Sequence, residues 1–233
     1  MGKIRSFFSV DNHYKEEVRN YTRIDGIIAI VYYVFLMVAY FSMGQILLKK
    51  QIYLGVVVNL LLVLVCILIV LLRKQKLSSL GITKEKLKNS IILGSFLGGL
   101  FLVFNGIIPV LFSKRELISA DMVLYNIFYY FVIIGFVEEL IFRGFIQTRL
   151  YGIIKNDFLA IIIAGVMFSL MHIPFQMSLV NMRLFQYFSE NILQLIILVG
   201  WHVFFNFLYK KYNSIFTGTI VHGFMNFSSN LFR

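Results

Sequence analysis

Residues 128–144, FYYFVIIGFVEELIFRG, decide what kind of protein this is. The apolar run Phe128 to Val137 carries no charge and leads straight into two adjacent carboxylates, Glu138 and Glu139, with Arg143 close behind. An ionisable group in a membrane-length apolar segment is costly to hold there, so it points to function by default. On a helix, Glu139 and Arg143 stand four apart on one face and can pair. Glu138 is turned about 100° away and gets no help from that arginine. One carboxylate is then neutralised and the other is left available. The same residues can also be read as helix-end glutamates in the headgroup region with a snorkelling arginine.

The rest of the chain supports the membrane reading. Of its 233 residues 59% are hydrophobic and only 14% are charged, and the mean hydropathy is +0.83. A soluble domain carries roughly 25% charged residues. A formal charge of +11 would suit nucleic acid, but the bases sit in short loops between apolar runs. That pattern sets orientation in a bilayer and makes no phosphate-binding face. Cys66 lies alone in an apolar run and implies neither disulfide nor metal. Residues 1–20 are of mixed charge without an apolar core, so no cleaved signal peptide is expected.

An all-α polytopic bundle of about seven spans (six to eight) follows: residues 24–48, 52–72, 91–112, 123–150, 158–172, 191–209 and 213–230. They divide into N-terminal spans with a basic linker, 1–120, and a helical core, 121–233. The fourth span is longer than a bilayer needs. The fifth is short, because Pro174 biases the residue before it out of helix and should end the span near His172. Residues 175–190 are apolar but irregular and fit an outer loop, a short interfacial helix or a re-entrant piece. In the basic linker 73–89, Thr83 is placed to cap the following helix, and the linker's lysines suit anionic headgroups. Lys and Arg divide 16 to 6 between the two sides, which by the positive-inside rule gives a cytoplasmic N-terminus of a cell-membrane protein.

Three constellations have helical spacing: Glu138-Glu139 with Arg143, Phe168 with His172, and His222 with Asn226. At about 1.5 Å per residue, Glu138, His172 and His222 lie roughly 18, 21 and 14 Å from the same ends of their spans, so all three can share one intramembrane cavity. Singly, each has a plainer explanation. An intramembrane histidine often bonds a neighbouring helix, His222 with Asn226 can be interhelical polar glue, and Phe168 reads as a packing residue. Together, a Glu, two His and an Asn on three spans make an expensive assembly. A second HxxxN, His202 with Asn206, stands on the sixth span and reads as a packed polar contact.

The ordered set EExxxR, FxxxH, HxxxN resembles the CPBP family, the CAAX-protease and bacteriocin-processing membrane proteins also called Abi, over about residues 121–230. The resemblance implies an intramembrane endopeptidase acting on a peptide or a membrane protein's tail within the lipid bilayer. Glu138 with His172 would activate a water, and His222 with Asn226 would stabilise the oxyanion, with Glu139 and Arg143 as support. No cofactor is expected. Zinc held by Glu138, His172 and His222 is the less favoured alternative, since no HExxH is present. A non-catalytic immunity or scaffold protein is the competing class. A transporter is disfavoured because no internal repeat is visible.

Overall fold

In the computed structural model, which describes residues 9–112 and 116–232, the chain is an all-α membrane bundle. Among those residues the only β pairing is an isolated bridge between Leu117 and Phe232. Lys3, Arg5, Lys114, Arg115 and Arg233, counted in the charge asymmetry, lie outside the described residues. Helix α1 (Asn12–Asn20) starts where the Asp11 carboxylate accepts from the backbone N–H groups of His13 and Tyr14. The Lys86 ammonium holds the same carboxylate. Burial alone would raise the Asp11 pKa, but Lys86 and the two N–H groups outweigh it and the net shift is downward. The stability Asp11 contributes is therefore present above the unfolded carboxylate pKa and lost as pH falls through the lowered folded one.

Helix α2 (Arg23–Lys50) opens with a capping box in which Thr22 and Asp25 satisfy one another's backbone N–H groups. It is followed by α3 (Gly55–Leu72), α4 (Leu87–Phe112), α5 (Ala120–Leu150), α6 (Asp157–Leu170), α7 (Ile173–Leu179), α8 (Leu184–Glu190), α9 (Ile192–Tyr212) and α10 (Phe216–Ser229). Apolar side chains such as Val34, Leu64, Phe96, Phe104 and Ile196 point outward, while Glu139, Arg143, Gln147 and His202 are buried. With hydrocarbon as the surrounding medium, apolar side chains lose nothing by facing outward and polar ones must find partners within the bundle.

The span count falls within the expected six to eight, and two local expectations fail: the end of the fifth span and the cap at Thr83. Six stretches are long and apolar enough to cross a membrane. The seventh, α10, is helical but only 14 residues long and packs against α4 and α5. Pro174 does interrupt the fifth span, at Met171 and His172, but the chain re-enters helix at once with the proline in its first turn. That span therefore runs on to Leu179. Residues 175–190 thus divide between the end of that span, where α7 lies against α2, and the short separate helix α8. Thr83 caps nothing: its hydroxyl donates to the Glu85 carbonyl, and α4 follows a left-handed Lys86 instead.

Helix α5 is not a uniform α-helix. Residues Tyr129–Phe136 and Glu139–Gln147 are π-helical, on either side of the first glutamate. Such widened turns are rare and gather at functional sites. Helix α10 crosses α5 through small residues. A methyl built on Gly135 would stand 2.9 Å from the Thr219 carbonyl oxygen, and one on Gly218 would collide with the Glu139 carboxylate. The bare backbones let α10 come close enough to bring His222 to the two glutamates.

Candidate active site

Glu139 and Arg143 are both fully buried, and Arg143 Nη1 lies 3.1 Å from Glu139 Oε1. The guanidinium lies over two rings, 4.4 Å from the Phe168 centroid and 5.1 Å from that of Phe205. Phe168 therefore does more than pack: it is one wall of the arginine's slot and meets the edge of His172.

His222 is turned between the two carboxylates. Its Nδ1 is 3.5 Å from Glu139 Oε1 and its Nε2 is 3.8 Å from Glu138 Oε2. The imidazole also stacks on Phe205 at 5.1 Å. Glu139 thus faces Arg143 and His222 together, whereas the local i,i+4 argument found only the arginine.

His172 has its tautomer fixed by geometry. Its Nδ1 lies 2.9 Å from the Phe168 carbonyl oxygen. A carbonyl only accepts, so Nδ1 carries the proton and neutral His172 has its lone pair on Nε2. Glu138, His172, His222 and Asn226 all line one cavity of about 350 Å³, walled by Phe168, Trp201 and Phe205. Glu138 and His172 also border a smaller chamber of about 150 Å³ between Tyr40, Met43 and Phe175. Glu138 Oε2 is buried and accepts no hydrogen bond from the protein. The cavity is thus polar at one face and aromatic elsewhere, with a carboxylate oxygen turned to an imidazole and free to take a further donor. Such a site can accept and return a proton next to a bound carbonyl.

The second HxxxN has another use. His202 is completely buried and its Nε2 stands 2.7 Å from Gln147 Oε1. The Gln147 amide in turn donates to Asn206 Oδ1. This network joins α9 to α5 behind Phe168, and none of its three residues lines the cavity. Gln147 escaped the sequence reading although a signal was there, since Glu139, Arg143 and Gln147 form one polar stripe at intervals of four. Removal of His202 should therefore act through stability. With the oxyanion role that the resemblance implies for His222, His222→Ala should slow turnover by about a hundredfold or more. His202→Ala should cost severalfold at most once activities are compared at equal folded protein. A dead His202→Ala and an active His222→Ala would reverse the assignment.

Residues 120–228 match the family described as type II CAAX prenyl endopeptidase Rce1-like. Comparison with curated proteins and with solved structures returned no match.

Proposed function

Because residues 120–228 belong to the Rce1-like family of CAAX-type membrane proteases, we propose that this chain is a glutamate-dependent intramembrane endopeptidase for a peptide or a membrane protein's tail. The observation that carries this reading is the convergence of Glu138, His172, His222 and Asn226, from three separate parts of the helical bundle, on one cavity. The region matched by the family contains all of them.

The chemistry balances with these four side chains and one water. Glu138, aided by the Nε2 lone pair of His172, takes a proton as the water oxygen attacks the scissile carbonyl carbon. The C=O π bond opens to an oxyanion, which receives hydrogen bonds from His222 Nε2–H and the Asn226 amide. When the C–N bond breaks, the proton held at Glu138 passes to the leaving amine. Glu139 orients His222 by accepting from Nδ1–H while Nε2–H serves the oxyanion, so His222 acts in its doubly protonated form, and Arg143 balances the charge of Glu139.

Among the described residues, no three His, Cys, Asp or Glu side chains are gathered so as to hold a metal ion. The proposed steps use proton transfer alone. Prolonged treatment with a strong chelator should then leave cleavage by the reconstituted protein unchanged. Loss of cleavage that zinc alone restores would make Glu138, His172 and His222 ligands. The same reading places the N-terminus in the cytoplasm, on the side favoured by the positive charges.

A further inference from the structure

Helix α1 lies across the ends of three spans. The chain is tied there where the Asp11 N–H donates to the Lys210 carbonyl and the Tyr14 hydroxyl meets that of Tyr151. Tyr14 and Val18 stand four apart on the face of α1 that packs on the bundle, with Tyr14 buried against Tyr151 and Tyr209, and Lys15 and Arg19 stand four apart on the next face and are exposed. The apolar face thus fastens α1 to the bundle and leaves its bases turned outward.

Two concavities flank α1, and their charges differ in sign. On one side a space of about 650 Å³ is bordered by Asp11, Glu16, Glu17 and Glu85 against Lys76 and Lys84. On the other, a space of about 520 Å³ is bordered by Lys15, Arg19, Lys155 and Lys210 against Asp157 alone. Asp157 is already taken, since Lys210 Nζ lies 2.7 and 2.8 Å from its two oxygens. Lys15, Arg19 and Lys155 have no acidic partner among the described residues and are exposed around a floor of Val10, Tyr14 and Val18.

We propose that this basic concavity binds the phosphate of an anionic phospholipid headgroup, with Lys15, Arg19 and Lys155 around the phosphate. Charge complementarity selects the ligand: three solvated cations converge where span ends meet lipid, and each such base near a charged bilayer adds to binding. The acidic concavity on the other face of α1 serves as the internal control. The inference is independent of the protease reading.

Native mass spectrometry of the full chain in detergent, titrated with phosphatidylglycerol or with phosphatidylcholine, tests it. Wild type should retain one phosphatidylglycerol in preference to phosphatidylcholine. The Lys15→Gln/Arg19→Gln/Lys155→Gln variant should bind it about a hundredfold more weakly, near fivefold per base. Lys76→Gln/Lys84→Gln should match wild type. The exposed single variant Lys155→Glu gives a second reading should the triple variant fail to fold, and should weaken retention at least severalfold. Unchanged retention in the variants, equal retention of phosphatidylcholine, or displacement by millimolar inorganic phosphate would overturn the proposal. The last of these would leave a simple phosphate site.

Discussion

Glu138→Gln should lower peptide cleavage by about 10²–10⁴-fold, the usual contribution of a positioned general base, while leaving the fold intact. The amide keeps the volume of the carboxyl group but cannot take the proton of the attacking water. Glu138 makes no ion pair with a lysine or arginine among the described residues: His222 Nε2 lies 3.8 Å from it, and Arg143 pairs with Glu139. The variant should therefore purify with wild-type yield and thermal stability, so that lost turnover reports chemistry. Near-normal turnover in Glu138→Gln would remove the base from the mechanism.

Glu139→Ala should behave oppositely, with its main effect on stability. It leaves Arg143 fully buried between Phe168 and Phe205 with no carboxylate. Breaking a buried pair from one side costs about 3–5 kcal/mol, while replacing both partners with apolar residues can be nearly neutral. The double variant Glu139→Leu/Arg143→Leu should accordingly recover most of the thermal stability lost in Glu139→Ala. It should not recover activity, because Glu139 also faces His222 Nδ1 at 3.5 Å. Thermal unfolding in one detergent checks the first statement and turnover per folded molecule the second. A double variant as unstable as the single one would mean that the arginine's burial is supported by something other than the pair.

The sequence made some of this legible and concealed the rest for physical reasons. Composition and apolar runs reveal a membrane bundle because hydrocarbon punishes unpaired polar groups over a fixed length. The Glu139–Arg143 pair was readable because i,i+4 neighbours meet on any helix. The π-helical stretches of α5 were not, since an unbroken apolar run has no periodicity from which a wider turn could be recognised. The continuation of the fifth span past Pro174 was missed because proline forbids little in a helix's first turn. Contact between Glu139 and His222 joins residues 83 positions apart, and no local rule reaches that far. The difference between His202 and His222 is likewise tertiary: the same HxxxN spacing meets Gln147 in one case and the two glutamates in the other.

In the proposed mechanism Glu138 drives hydrolysis of peptide bonds within or beside the membrane. Mass spectrometry of membrane peptides from cells making the wild-type chain or Glu138→Gln, at matched protein levels and in ¹⁸O-water, tests it most directly. New peptide C-termini that carry a single ¹⁸O from the attacking water should be present with the wild type and missing with Glu138→Gln. Identical peptide profiles in the two samples would contradict it and favour a protein that binds its partner without cutting it.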